Sequence, residues 1–270
     1  MQLTDKVVII TGATSGIGKA CAFEYGKSGA KLLVSGRSEE KLNVLSKELT
    51  EAGIEHKTVV ADVAVEADNK NIVDQSVAAF GKIDVLIVNA GISMRALFED
   101  LDLEVFRKLM DTNFYSAVYI TKYALPHLLQ SKGSIVAVSS INGHRGTPAR
   151  TAYTASKFAM EGFYEALRTE VMKRGVHVLV VSPGFTGTNI RNSALTANGS
   201  QQGESPRNEA KMMTAEAVAK AMLKATKARK RDLVLTFQGK LAVWLNKFVP
   251  GTLDNIVYKT MAKEPDSPFK

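Results

Sequence analysis

The chain is poor in the residues that build disulfide scaffolds, zinc sites and membrane spans. It has one cysteine, Cys21, in 270 residues. That excludes an intrachain disulfide framework and a cysteine-based zinc cage, and it fits a reducing compartment. The four histidines, His56, His127, His144 and His177, stand on separate segments without ligand spacing, so no metal site is expected. Apolar runs last only a few residues, too short to cross a bilayer. Met1 to Asp5 lead straight into an apolar strand with no basic, then long apolar, leader. No secretory signal is therefore expected, and the expected location is cytoplasmic. No repeat at a solenoid period is present. Acidic residues are the minority, 27 against 35 Lys and Arg, for a net charge of +8. This excess leaves anionic partners open. No helix-turn-helix, finger or aromatic RNA motif accompanies it, so nucleic acid is not an expected partner.

What is present is a rhythm. Short β-branched runs at Val7–Ile10, Lys31–Ser35, Lys57–Ala61, Asp84–Val88, Ser134–Ser139, His177–Ser182 and Asp232–Leu235 alternate with amphipathic stretches. Those stretches cover about 16–28, 38–52, 66–80, 102–131, 151–174 and 214–229, with a kink expected at Pro126. Strands that are apolar throughout are covered on both faces. The pattern predicts an α/β fold: a doubly wound, seven-stranded parallel sheet of the Rossmann kind, helices on both faces. Residues 1–235 are expected to form this single domain. Polar residues 189–212 are too long for an ordinary loop and are expected to be a substrate lid. Residues 236–270 read as a C-terminal helical extension, split at Pro250-Gly251 and packed on the same domain.

Thr11-Gly12-Ala13-Thr14-Ser15-Gly16-Ile17-Gly18 follows the first strand and opens the first helix. Gly12 permits a tight turn, Gly16 lets the backbone approach a pyrophosphate, and Gly18 allows close helix–strand packing. The helix N-terminus then offers unpaired N–H groups to phosphate. In this context the glycines point to a dinucleotide.

The spacing T-G-x-x-x-G-x-G resembles the short-chain dehydrogenase/reductase family. Further marks of that family follow in order: Asn89-Ala90-Gly91, Asn113, Ser140, Tyr153-x-x-x-Lys157 and Pro183-Gly184. The resemblance covers about residues 5–235. It implies an enzyme that exchanges a hydride between a nicotinamide cofactor and a carbonyl or alcohol. Where folds that bind NAD place an acid after the second strand, this chain has Gly36 and then Arg37. A guanidinium there can grip a 2′-phosphate in two-pronged fashion, so NADP(H) is the expected cofactor. Arg37 could instead be a solvated loop charge. Lys19 and Lys41 could add charge near the phosphates. Asp62-Val63 matches the adenine-contacting pair, although Asp62 could simply cap the next turn.

Tyr153 and Lys157 share one face of a helix. A nearby ammonium favours the phenolate and would lower the tyrosine pKa toward a useful range. The resemblance implies that Tyr153 is the general acid/base and that Lys157 holds the nicotinamide ribose. It also implies that Ser140 bonds the substrate oxygen, with Ser139 as its neighbouring candidate. Asn113 either holds a water of a proton relay or braces its helix against the sheet. Pro183, Gly184, Thr186 and Thr188 are expected at the nicotinamide carboxamide, although Thr186 replaces the usual Ile or Val. Met94, Arg95, His144 and Phe185 are candidates for the pocket edge, and Cys21 is expected to be a packing residue.

The tail, 239–263, spaces Leu241, Trp244, Leu245, Phe248, Ile256 and Tyr258 at near-helical intervals, with Lys240, Lys247, Lys259 and Lys263 between them. It either packs on the core or lies in a membrane interface. The extension is similar to the branch that holds dehydrogenase/reductase member 7, hydroxysteroid dehydrogenases and ketosphinganine reductases. That implies a lipophilic steroid, retinoid or long-chain keto substrate. Members of the family are commonly homodimers or homotetramers through the helices at 102–131 and 151–174. Residues 207–231 carry eight Lys and Arg against two Glu, a local basic face expected to be solvated. The competing function is an NADP-binding regulator without turnover. Its difficulty is that a regulator has no need for Asn113, Ser140, Tyr153 and Lys157 together.

Overall fold

The computed structural model describes residues 2–203, 212–263, Ser267 and Phe269. The first strand, β1 (Val7–Ile10), alternates its side chains between two cores. Val8 and Ile10 face one, and Ile9 faces the other. Around it lie β2 (Lys31–Gly36), β3 (His56–Val60), β4 (Val85–Val88), β5 (Ser134–Val138) and β6 (His177–Ser182). With β9 (Asp232–Val234) they form a seven-stranded sheet in the order β3-β2-β1-β4-β5-β6-β9, every pair parallel. The order reverses between β1 and β4. A crevice therefore opens at the carboxyl ends of those strands. A small parallel ribbon, β7 (Thr186–Gly187) with β8 (Met213–Thr214), sits beyond β6.

Helices α1 (Gly16–Gly26) and α7 (Ala215–Lys227) pack on one face with Cys21, Tyr25, Val218 and Met222. Cys21 is fully buried against Met222, and burial pushes its thiol pKa up, as suits a packing residue. The Tyr25 and Thr226 hydroxyls share a hydrogen bond of 2.8 Å that joins these helices. Helices α3 (Glu66–Phe80), α5 (Ser116–Ser131) and α6 (Thr151–Val171) cover the other face. Local chemistry sets the ends. Ser38 accepts from the Lys41 N–H to start α2 (Glu39–Glu51), and Gly81, at φ 74°, ends α3. Buried Asp84 pins the start of β4 to β1. It accepts from the Val7 N–H at 3.0 Å and pairs with Lys6 at 2.8 Å and Lys82 at 3.2 Å.

Two expectations change. Residues 102–131 are not one helix kinked at Pro126. Helix α4 (Leu103–Met110) runs into a π-helical turn, Asp111–Tyr115, and α5 then continues through Pro126. The break falls where Asn113 must point inward, and a π-turn re-aims one side chain. The lid segment is also less loop-like than its composition suggests. Ala194, Leu195 and Arg191 are buried, and Leu195 packs with Met94, Leu101, Val105 and Ala152. Residues 204–211 of the expected lid lie outside the described residues. After β9 come α8 (Phe237–Phe248) and α9 (Pro250–Ala262), with Pro250 in the first turn of α9 where its missing N–H costs nothing.

Candidate active site

The glycine turn is shaped by contacts that leave no room for a side chain. Gly12, at φ 64°, would place a Cβ 2.8 Å from the Ala90 Cα, and a Cβ on Gly18 would collide with the Gly12 carbonyl. Thr11, at the end of β1, holds the turn against β4. Its Oγ1 accepts from the Asn89 N–H at 3.0 Å and the Ala90 N–H at 3.1 Å. The Asn89 amide donates back to the Thr11 and Gly12 carbonyls at 3.0 and 3.1 Å. Ser15 precedes α1 in extended conformation but its side chain caps nothing. The first-turn amides of α1 thus face the crevice without a capping side chain, which suits an anion. Thr14 lies against Gly36, Ile17 packs on the core, and the Thr188 methyl lies against Gly16 from the far side of the crevice.

Arg37 is exposed and makes no hydrogen bond or ion pair with a described residue. Lys41 is exposed, whereas Lys19 pairs with Glu48 at 2.6 Å and is committed elsewhere. Asp62 accepts from the Ala64 N–H at 3.0 Å through one carboxylate oxygen. It caps its turn, and its second oxygen is left for another donor. The Val63 side chain is buried in the core.

On the other side of the crevice, Asn113 spends its side chain on bracing. Its Oδ1 accepts from the Ile92 N–H at 2.8 Å, and its amide donates to the Ile92 carbonyl and to Ser156 Oγ. Ser156 in turn donates to the Tyr153 carbonyl at 2.7 Å. Gly91 lies beside both Asn113 and Lys157. Ser140 follows β5, accepts from the Asn142 N–H at 3.2 Å, and lies beside the Tyr153 phenol. Ser139 is more deeply buried and lies near Gly143 and Glu161 instead. Lys157 is 4% exposed. Its Nζ donates to the Val138 carbonyl at 3.0 Å and stands 5.9 Å from the Tyr153 ring centroid. Burial lowers its pKa to about 8, against an opposing pull from Glu161.

The expected lowering of the Tyr153 pKa by Lys157 is not what this arrangement gives. Burial holds the phenol above its ordinary range, and the groups that oppose burial are Ser140, Arg150 and Arg191. Lys157 faces the ring rather than the hydroxyl, with its ammonium drawn to β5. Arg150 bonds Ser93 Oγ at 2.7 Å and the Met94 carbonyl at 3.2 Å, and buried Arg191 bonds the Thr186 carbonyl at 2.6 Å. Arg150, Arg191 and Glu161 are absent from the motif pattern. For Arg191 no local signal marks burial, because it lies in a stretch of polar composition.

The stretch after β6 closes the crevice. The Pro183 carbonyl accepts from Ile141 N–H at 3.1 Å, and Gly184 is tight against Thr236, where a Cβ would meet Oγ1 at 2.7 Å. Thr186 Oγ1 donates to the Gly184 carbonyl at 3.2 Å.

Comparison with known proteins agrees with this geometry. The short chain dehydrogenase family model matches residues 6–199. The chain belongs to the short-chain dehydrogenase/reductase family. It is therefore an oxidoreductase of a family that uses NAD(P)(H). It is 38% identical over 271 residues to dehydrogenase/reductase SDR family member 7B of Mus musculus, covering 98% of this chain and 84% of the relative. It is 41% identical over 201 residues to 11-beta-hydroxysteroid dehydrogenase A of Arachis hypogaea, covering 73% of this chain and 57% of the relative. The fold matches a short chain dehydrogenase/reductase from Burkholderia phymatum, solved in complex with NAD. The TM-score is 0.84 at 23% identity, over 93% of this chain and 96% of that one.

This family member also carries the extension beyond the sheet. Gly239 of α8 lies against Ile141, where a Cβ would meet Cδ1 at 2.7 Å, and Asn246 donates to the His144 carbonyl at 3.0 Å. Leu253 and Met261 are buried, but Phe237, Trp244 and Phe248 are 81%, 57% and 65% exposed. Among the described residues no group of His, Cys, Asp and Glu could hold a metal, and no helix is long and apolar enough to cross a membrane.

Proposed function

We propose that the enzyme interconverts a carbonyl and a secondary alcohol with NADP(H), Tyr153 acting as general acid/base, on a lipophilic steroid, retinoid or long-chain keto substrate. The observation that carries this reading is that Ser140 and buried Lys157 both lie beside the Tyr153 phenol, across the crevice from the glycine turn. The residues present fit the cofactor. The turn at Gly12, Thr14, Ser15, Gly16, Ile17 and Gly18 and the uncapped start of α1 would hold its phosphates. Asp62 and Val63 would hold the adenine end. Asn89, Ala90, Gly91, Pro183, Gly184, Thr186, Thr188 and Lys157 would hold the nicotinamide end. Exposed Arg37, with no acid at Gly36, favours a 2′-phosphate over a bare hydroxyl. When bound, the cofactor supplies the hydride.

The chain's own residues do the rest. Ser140 donates a hydrogen bond to the substrate oxygen and stabilises charge developing there. Tyr153, kept as a neutral phenol by burial, gives its proton to that oxygen. Ser140, Arg150 and Arg191 then stabilise the phenolate. Lys157, at about 8, supplies an ammonium near the ring. Asn113 keeps α5 and α6 in register with the end of β4, the bracing alternative of its two roles. The exposed Trp244 and Phe248, flanked by Lys240 and Lys247, suit an anionic bilayer from which such a substrate would come. The exposed Tyr115, in the π-turn that leads into α5, and Phe158 on α6 suit a homo-oligomer through the faces of these helices.

A steady-state screen of NADPH oxidation with steroid, retinal, quinone and long-chain keto substrates tests the reading. Turnover of at least one class, faster with NADPH than with NADH, is expected. NADPH binding without turnover of any class would favour the regulator instead.

A further inference from the structure

Behind the Tyr153–Lys157 face lies a second, half-buried ionisable cluster that the proposed reaction does not use. Glu161 stands one helical turn after Lys157 on α6, its side chain 18% exposed. Its Oε1 accepts from Ser182 Oγ at 3.2 Å and lies 3.4 Å from His144 Nε2. That ring nitrogen shares a hydrogen bond of 2.9 Å with the same Ser182 hydroxyl. Ser139 closes the cluster. A Cβ on Gly143 would come within 2.6 Å of Ser139 Oγ and 3.0 Å of Glu161 Oε1, so glycine is what leaves the carboxylate its place.

The charges around Glu161 come from four elements. Lys157 precedes it on α6, and Arg168 and Glu165 follow. His144 faces in from the loop after β5, and Arg145 beside it turns to the C-terminal helices. Asp232 on β9 repels it, but Arg168 pairs with Asp232 at 3.1 Å. On α8, Asn246 donates to the His144 carbonyl at 3.0 Å and accepts from Arg145 at 3.4 Å. On α9, Asp254 pairs with Arg145 at 2.6 Å. Burial raises the Glu161 carboxyl above its ordinary range, while His144, Ser139 and Ser182 act against the rise. The C-terminal extension thus fastens the loop that presents His144 to Glu161.

A buried ammonium bonded only to neutral groups loses its proton readily. The partners of Lys157 Nζ among the described residues, the Val138 carbonyl and Met160 Sδ, are both neutral. We propose that Glu161 is a positioning residue for Lys157. Held by Ser182 and His144 under the C-terminal helices, its carboxylate keeps the lysine an ammonium. The inference rests on the proposed reaction for its consequence in turnover, but not for its test.

The test titrates Lys157 directly in the full chain by lysine-selective carbon-13 NMR, with the Cε signal assigned by its loss in Lys157→Met. In Glu161→Gln the midpoint is expected to fall by about half a unit or more. The alkaline limb of kcat should move down with it, with KM unchanged below that limb. Glu161→Asp should restore part of the shift. Ser182→Ala and Asn246→Ala keep both charges and should move the midpoint less. An unchanged midpoint in folded Glu161→Gln would overturn the proposal. So would a shift in Ser182→Ala as large as that in Glu161→Gln. If Glu161→Gln fails to fold, Glu161→Ala removes the same charge, and an unchanged midpoint there would overturn the proposal. A shifted midpoint in an enzyme that turns over no carbonyl would sink the proposed function alone.

Discussion

The phosphate turn and the C-terminal helices are built on opposite plans. At the turn, Thr11, Asn89 and the Gly12 carbonyl satisfy one another, and the glycines are packed so closely that a methyl group would not fit. At α8 and α9, two buried side chains and a few polar ties fasten the pair, while Phe237, Trp244 and Phe248 face outward. A surface whose polar groups are spent internally is preorganised for a ligand of fixed shape. A surface with its aromatic residues turned out gains free energy only when something covers it. The first plan suits the cofactor of the proposed reaction, and the second the proposed contact with a bilayer.

Substitutions sharpen this contrast. Gly18→Val at the turn should be the most damaging, costing about 3 kcal/mol of stability because backbone rather than a side-chain end blocks the new atoms. Denaturant titration reads it. Asp84→Asn is next, at about 1–2 kcal/mol near neutral pH. Burial alone would raise the Asp84 carboxyl, but Lys6, the Val7 N–H and Lys82 together bring it below its ordinary value. A carboxyl lowered in the folded state stabilises above its unfolded pKa and loses that contribution as pH falls through the folded one. The wild-type advantage in Tm should therefore be full above about pH 5 and shrink as pH falls below the unfolded carboxyl pKa of about 3.9.

Arg37→Asp should change the preference for NADPH over NADH by about tenfold or more, roughly 1.4 kcal/mol, and leave Tm alone. The ratio of Kd values for the two cofactors checks it. Trp244→Glu with Phe248→Glu should alter stability least, within about 0.5 kcal/mol. The same pair should abolish flotation with vesicles rich in anionic lipid. A large loss of stability there would instead mean that the helices pack on the core through that face.

Much of the fold was legible because its signals are local. All-apolar VVII and VLIV mark strands buried on both sides. The candidate site was legible as spacing, since Tyr153 and Lys157 must share a helical face. What spacing does not carry is direction. It places Lys157 near Tyr153 but not with its ammonium drawn to Val138, so the sign of the tyrosine shift followed burial instead. Nor does it show that Asn113 sits in a π-turn, because that break answers to Ile92 and Ser156, distant in sequence. Arg191 was hidden because the polar residues beside it carry no mark of its burial, in which its guanidinium bonds the Thr186 carbonyl.

The most direct measurement compares turnover and cofactor binding in Tyr153→Phe. The account predicts loss of nearly all NADPH-dependent carbonyl reduction, on the order of a thousandfold or more in kcat. NADPH should still bind within about twofold of wild type, because the phenol acts on the substrate oxygen rather than on the phosphates. Substantial residual turnover in a folded Tyr153→Phe enzyme would contradict it.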